Sequence, residues 1–265
     1  LISEGDHVVT SDGAYPTFNY HVSGFGGKLH KVPYLADCED IVSLIKKARS
    51  VDAKLIYFAN PDNPMGTHVP GFKIVEALKD LPEGCLFILD EAYSEFAPAS
   101  SLPSLEITDM RVVRLRTFSK AYGMAGARVG YAMAEENLIN SFEKIRNHFG
   151  MSRLAQKAAL AALSDDQWLL EMVQKVENGR QRIYKIAANN NLKSITSSTN
   201  FVAIDCGKDG GFARKVLTEL ISLGIFVRMP FVSPQDRCIR ISVGKKKDLD
   251  KFEMALPIAL ERASK

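Results

Sequence analysis

Closely spaced cysteines are missing from this sequence. Its four cysteines, Cys38, Cys85, Cys206 and Cys238, are far apart and form no C-x-x-C pair. Metal clusters and disulfide frameworks are typical of cysteines in closer or more numerous sets, so the sequence predicts neither. We therefore expect no metal site, and we expect a reducing, cytoplasmic compartment.

Long apolar runs and an excess of one charge are also missing. No stretch approaches the roughly eighteen consecutive apolar residues of a membrane helix, and the first residues lack the basic-then-apolar pattern of a signal peptide. Lys and Arg number 34 against 31 Asp and Glu, a net charge of +3. So small an excess is not typical of a nucleic-acid-binding surface. The sequence predicts neither a membrane nor a nucleic-acid partner.

Strand-length apolar runs alternate with segments of helical period over the first 146 residues. Strands are predicted at 7–10, 28–33, 53–59, 85–90, 111–117 and 128–134, and helices at 37–49, 71–80 and 135–146. Parallel strands buried on both faces are apolar almost without interruption, as residues 55–59 are. The order predicts an α/β fold with a mostly parallel sheet covered by helices.

The pattern changes after residue 153. Helical periodicity runs on from Arg153, with an interruption at residues 164–166, where Ser or Asp can cap a new helix. Strands are then predicted at 200–206, 225–229 and 237–243, and helices at 212–223 and 248–262. This predicts a large domain over 1–163 and a smaller C-terminal α+β domain over 164–265.

Polar residues follow two of the predicted parallel strands. Asp90 ends the strand 85–90, and Thr117, Ser119 and Lys120 lie at the end of 111–117. Ligands of such sheets bind at the carboxyl ends of strands, so these residues are functional candidates. Position alone also allows simpler roles: Asp90 as a helix cap and Lys120 as a surface charge.

Three further segments supply groups that suit a flat, phosphorylated cofactor. Arg128 follows a glycine-bearing turn, and guanidinium with neighbouring hydroxyls suits a phosphate. Asn63 lies in a Pro- and Gly-rich loop, and an aromatic segment over 15–20 could stack on a ring or fill the core. Lysine can form an imine with an aldehyde, and an acid can pair with a ring nitrogen. Pyridoxal phosphate has all of these features.

At this point the motifs resemble a known family, the fold-type I pyridoxal-phosphate-dependent aminotransferases of class I/II, and most of all its histidinol-phosphate aminotransferase branch. Residues 63–66 are similar to the family's N-P-T-G motif, with Met65 in place of Thr, and residues 90–93 match D-E-A-Y. Ser119, Lys120 and Arg128 are similar to S-K-x7-R, and residues 238–244 resemble the C-terminal L-R-I-S-x-G strand. The likeness spans essentially the whole chain.

The resemblance implies a role for each matching residue. Lys120 would bind the cofactor as a Schiff base and move the proton, with Asp90 at the pyridine nitrogen and Asn63 and Tyr93 at the phenolic oxygen. Phe18 would stack on the ring. Thr117, Ser119 and Arg128 would bind the phosphate, Arg240 the substrate α-carboxylate, and Arg228 a distal substrate phosphate. The implied catalytic residues are Lys120, Asp90 and Tyr93.

The implied reaction moves an amino group between an amino acid, or a histidinol-phosphate-like amine, and a 2-oxo acid in a homodimeric enzyme. Two alternatives stay open: a pyridoxal-phosphate decarboxylase of the same fold, and an inactive cofactor-binding fragment. The family also has N-terminal residues, with a glycine-containing phosphate-binding turn, that find no counterpart here. We therefore expect the chain to lack an N-terminal part of the large domain.

Overall fold

A computed structural model describes residues 1–265 as two sheets with their covering helices. The larger sheet has six strands, in the spatial order β2-β1-β3-β4-β5-β6. They are β1 (His7–Ser11), β2 (Lys28–Val32), β3 (Leu55–Ala59), β4 (Leu86–Asp90), β5 (Val112–Thr117) and β6 (Gly130–Met133). The first five run parallel, and β6 is antiparallel to β5.

The helices of the larger sheet lie on both of its faces. They are α1 (Pro16–Gly24), α2 (Ile41–Ser50), α3 (Gly71–Ala77), α4 (Glu136–Phe142) and α5 (Arg153–Leu163). One face of β3 packs into a core with α2 and α3, and the other into a core with α1 and α4. Burial on both faces explains why β3 is apolar throughout. The predicted α/β class is confirmed.

The smaller sheet is antiparallel and consists of β7 (Lys193–Ser194), β8 (Phe201–Asp205) and β9 (Cys238–Ser242). Its helices are α6 (Asp166–Asn189), α7 (Gly210–Ser222) and α8 (Lys246–Ala263). These elements share a core of their own, in which Ile183, Ile204 and Leu220 are fully buried. The domain division at residues 163 and 164 stays a prediction, although α5 ends at Leu163.

One local prediction is wrong, and one helix was not predicted. The segment 225–229 forms no strand, and its only ladder contact is the bridge between Arg228 and Arg240. Pro230 follows directly and has no N–H to extend the pairing. The segment 15–20, interpreted only as aromatic, lies almost entirely in α1, which has Pro16 in its first turn, where no N–H is needed.

One helix begins later than predicted. The helical pattern starts at 37, but α2 begins at Ile41, because Ala36 and Asp37 have positive φ angles of 48° and 65°. Asp40 then caps the helix by accepting a hydrogen bond of 3.1 Å from the Ser43 amide. No helix of the protein combines the length and apolarity needed to cross a bilayer.

Candidate active site

A cleft of about 600 Å³ opens where the carboxyl ends of β3, β4 and β5 face the smaller sheet. Nine of the ten residues predicted for the site line it, and Phe18 does not. The nine are Asn63, Asp90, Tyr93, Thr117, Ser119, Lys120, Arg128, Arg228 and Arg240. The parallel register explains part of this convergence, since Ala59 pairs with Asp90 and brings the ends of β3 and β4 level.

Asp90 ends β4 with a hydrogen-bond donor on each carboxylate oxygen. The Tyr57 hydroxyl donates to Oδ2 at 2.5 Å, and the Ala92 amide donates to Oδ1 at 2.9 Å. Burial raises the pKa of Asp90, while these two donors and the charge of Lys120 oppose that rise. The carboxylate is therefore held in one orientation.

Lys120 lines the same cleft as this carboxylate, and its Nζ is 5.1 Å from the centre of the Tyr93 ring. Burial lowers the pKa of Lys120, the positive charges of Arg240 and Arg228 lower it further, and Tyr15 and Asp90 act in the opposite direction. A lowered pKa increases the fraction of neutral amine, which is the form that attacks an aldehyde.

Asn63 connects the two sheets within the cleft. Its side-chain amide donates to the Tyr93 hydroxyl at 3.4 Å, and its side-chain carbonyl accepts a hydrogen bond from the Arg240 guanidinium. Burial raises the pKa of Tyr93 well above its usual range, so the phenol stays protonated at neutral pH. Two potential donors to a ligand oxygen thus lie side by side.

The predicted phosphate ligands cluster where β5 ends. The Ser119 amide donates to the Thr117 hydroxyl oxygen at 3.1 Å, which fixes the turn leading to Lys120. Arg128 has a left-handed backbone, with φ of 54°, and its guanidinium donates to the Ala125 carbonyl at 2.9 Å. Arg128 is exposed, and its remaining N–H groups are available to an anion.

Phe18 lies one layer below the cleft. Its ring stacks on Tyr57 with centroids 4.3 Å apart and planes inclined by 15°. The aromatic residue of this segment that does line the cleft is Tyr15, whose residue surface is 47% exposed. The cofactor-stacking role of Phe18 stays a prediction.

The sequence interpretation missed several cleft residues, of which Tyr57 and Phe201 make the clearest contacts. The Arg240 guanidinium lies over the Phe201 ring, 4.7 Å from its centre, and Tyr93 meets the same ring edge-on at 5.5 Å. Tyr57 is the one polar side chain in β3 and shares a sheet face with Asp90. That lone hydroxyl among apolar neighbours, two residues before the strand end, was the signal available in the sequence.

The donor set fits pyridoxal phosphate. A carboxylate with both oxygens held, an amine with a lowered pKa, two hydroxyls with an exposed guanidinium, and an amide beside a phenol all face one cleft. Each group suits a different part of the cofactor: ring nitrogen, aldehyde carbon, phosphate and phenolic oxygen. Fold and donor set together define the class of pyridoxal-phosphate-dependent transferases.

Comparison with known proteins agrees with this class and narrows it. The family model for aminotransferase class I and II matches residues 1–256. The chain belongs to that family, and it is accordingly a transferase that uses pyridoxal phosphate.

Two similar proteins are histidinol-phosphate aminotransferases. Histidinol-phosphate aminotransferase 1 of Bacillus cereus is 35% identical over 256 residues, which cover 95% of this chain and 68% of that protein. The crystal structure of histidinol-phosphate aminotransferase from Sinorhizobium meliloti, in complex with pyridoxal 5′-phosphate, is 49% identical with a TM-score of 0.96. That match covers 99% of this chain and 72% of the other.

Proposed function

We propose that this aminotransferase takes its amino group from a phosphate-bearing amine of the histidinol-phosphate type and passes it to a 2-oxo acid. The observation that carries the proposal is the presence of two guanidiniums, those of Arg228 and Arg240, in the cleft that holds Lys120. A phosphate and a carboxylate are the groups that guanidinium binds best. The histidinol-phosphate aminotransferases among its relatives support the choice of donor.

The backbone supports a joint role for the two arginines. The Arg228 amide donates to the Arg240 carbonyl at 3.2 Å, and the Arg240 amide donates back to the Arg228 carbonyl at 2.6 Å. This bridge sets both side chains on one edge of the cleft. In our proposal Arg240 binds the α-carboxylate of an amino acid or 2-oxo acid, and Arg228 binds the distal phosphate of the amine.

The other predicted residues then have distinct tasks. Bound in this cleft, pyridoxal phosphate supplies an electron sink for the substrate carbon. Asp90 stabilises a positive charge at the ring nitrogen, and Asn63 and Tyr93 donate toward the phenolic oxygen. Thr117, Ser119 and Arg128 bind the phosphate.

Lys120 has two successive tasks in this proposal. It first binds the cofactor through its amine. Once the substrate amine has replaced it, the freed Lys120 would remove the proton from the substrate carbon that bears the amine and deliver it to the former aldehyde carbon of the cofactor. Its lowered pKa increases the fraction of neutral amine, the form that acts as a base. We also propose that the working enzyme is a homodimer, as the family resemblance implies.

A panel of amino donors tests the proposal. Wild-type protein loaded with pyridoxal phosphate should transfer nitrogen to 2-oxoglutarate faster from histidinol phosphate than from histidinol. Arg228→Gln should lower kcat/KM for histidinol phosphate about 10–100-fold, the cost of a lost charge-assisted contact, and leave histidinol almost unchanged. Arg214→Gln, an exposed arginine on α7, is the matched control.

Two outcomes would contradict the proposal. If Arg228→Gln lowered kcat/KM equally for histidinol phosphate and for histidinol, Arg228 would not bind the substrate phosphate. Release of carbon dioxide from an amino acid, without formation of a keto acid, would favour the decarboxylase alternative over amino transfer.

A further inference from the structure

Tyr57 is a buried phenol that has no role in the proposed reaction. It lies in the middle of β3, its residue surface is 4% exposed, and its hydroxyl is 2.5 Å from Asp90 Oδ2. Asp90 is the carboxylate that faces the cofactor ring in the proposed function. A residue of the neighbouring strand thus contacts the carboxylate that is proposed to stabilise the positive charge of the cofactor ring.

We propose that Tyr57 is a positioning residue that keeps the Asp90 carboxylate ionised and aimed at the ring nitrogen of the cofactor. This inference rests on the proposed function. Tyr57 need not touch substrate to act in this way, because it works through the carboxylate.

The need for such a residue follows from the surroundings of Asp90. Burial disfavours the charged carboxylate, and Glu91 adds a like charge from the same segment. The charge of Lys120 favours the ionised carboxylate, but in the loaded protein the Lys120 amine is bound to the cofactor. A phenol donor opposes protonation without depending on the state of Lys120.

The two donors on Asp90 also fix its direction. The Ala92 amide holds Oδ1 and the Tyr57 hydroxyl holds Oδ2, so rotation of the carboxylate would break one bond or the other. An ionised carboxylate oxygen can accept more than one hydrogen bond. Each oxygen of Asp90 therefore keeps capacity for the ring N–H.

Phe18 holds the phenol in place from the other side. Its ring lies nearly parallel to that of Tyr57, 4.3 Å away, and both belong to the apolar cluster between the sheet and α1. Such stacking limits tilting of the Tyr57 ring. The hydroxyl therefore stays where it reaches Asp90, and α1 contributes to the site through this contact.

The experiment compares wild type with Tyr57→Phe, both as holoprotein with pyridoxal phosphate labelled with 15N at the ring nitrogen. Without its donor Asp90 is more basic and takes the ring proton, so the 15N resonance should move toward the unprotonated position. The weaker electron sink should lower kcat about tenfold, with little change in KM.

Tyr34→Phe is the matched control, because the Tyr34 hydroxyl makes an equivalent bond of 2.7 Å to the buried Asp62. Both variants should lose similar stability in urea, whereas only Tyr57→Phe should move the 15N resonance. Incorporation of 3-fluorotyrosine at position 57 keeps the shape and strengthens the donor. It should move the resonance in the opposite direction, and it serves as the second variant if Tyr57→Phe fails to fold.

The failure of this inference differs from the failure of the proposed function. If wild type transfers nitrogen and the resonance is unchanged by Tyr57→Phe or by 3-fluorotyrosine, Tyr57 is structural and the inference is overturned. If wild type binds the cofactor but transfers no nitrogen, the proposed function fails, while the resonance still reports on Tyr57.

Discussion

The Arg240 guanidinium donates a hydrogen bond to the side-chain carbonyl of Asn63, which lies 177 positions earlier in the chain. Arg240 belongs to β9 of the smaller sheet, and Asn63 follows β3 of the larger one. This contact joins the proposed substrate anion site to the residue proposed to bind the phenolic oxygen of the cofactor. The cleft therefore depends on how the two sheets face each other.

The attachment of pyridoxal phosphate to Lys120 should depend on pH in a way that Arg240 sets. Burial and the charge of Arg240 lower the pKa of Lys120, so the attachment rate should rise with pH to an inflection below the ordinary lysine value. Arg240→Gln removes this charge, so the inflection of the attachment rate should lie at higher pH in the variant than in wild type. Stopped-flow absorbance of the visible band of lysine-bound cofactor measures the rate.

Two variants check the assignment of that band. Lys120→Ala should show no visible band at any pH, because no other predicted residue supplies the amine, whereas Lys73→Ala, an exposed lysine on α3, should behave as wild type. A band that persisted in Lys120→Ala would show that a different lysine binds the cofactor.

Gly66 should be intolerant of a side chain because its loop packs closely against Ser197. It has φ of 80°, and a Cβ atom at this position would lie 2.7 Å from Ser197 Oγ. Gly66→Ala should lower the free energy of unfolding by about 2–3 kcal/mol, combining backbone strain with the clash. Urea unfolding measures the change.

Gly224→Ala separates the effect of backbone strain from that of the clash with Ser197. Gly224 has nearly the same φ, 79°, but nothing lies within 4 Å of its Cβ position. Gly224→Ala should lower the free energy of unfolding by about 1 kcal/mol, from backbone strain alone. Equal losses in the two variants would mean that the contact with Ser197 costs nothing.

Arg237 should stabilise the protein in a pH-dependent way. It bonds Asp37 near the larger sheet and Asp205 on β8, both at 2.7 Å. Burial raises the pKa of Asp37, but the Arg237 bonds outweigh it and the net pKa is lowered. A lowered folded-state pKa contributes stability above the unfolded-state pKa, and that contribution is lost as the pH falls through the folded value.

The expected result is a difference in the free energy of unfolding between wild type and Arg237→Gln, a gap that decreases in acid. At neutral pH the gap should be about 1 kcal/mol, because these partly exposed groups are screened by solvent. It should shrink as the pH falls from about 4, the ordinary Asp value, toward the lower folded value. Lys79 forms an exposed pair with Glu76, and Lys79→Gln should show almost no gap. If the gap for Arg237→Gln did not change with pH, the role of Asp37 would be contradicted.

Local sequence by itself determined the strands of the larger sheet and nine of the residues that line the cleft. The apolar run of β3 and the placement of Asp90 at a strand end are local properties, and parallel pairing brings such ends to one edge. The role of Lys120 was indicated by the motif it forms with Ser119 and Arg128, because its place after β5 alone also allowed a surface charge. The α/β class was predictable from the strand pattern, and the transferase family from the motifs.

Only the tertiary structure decided which side chains touch. The phenol of Tyr57 reaches Asp90 because neighbouring strands share a register, and Phe18 packs on Tyr57 because residues 16–24 fold as a helix. Residues 225–229 read as a strand, yet only Arg228 finds a partner there. Hydrogen bonds between residues far apart in the chain depend on packing, which the periodicity of one segment does not contain.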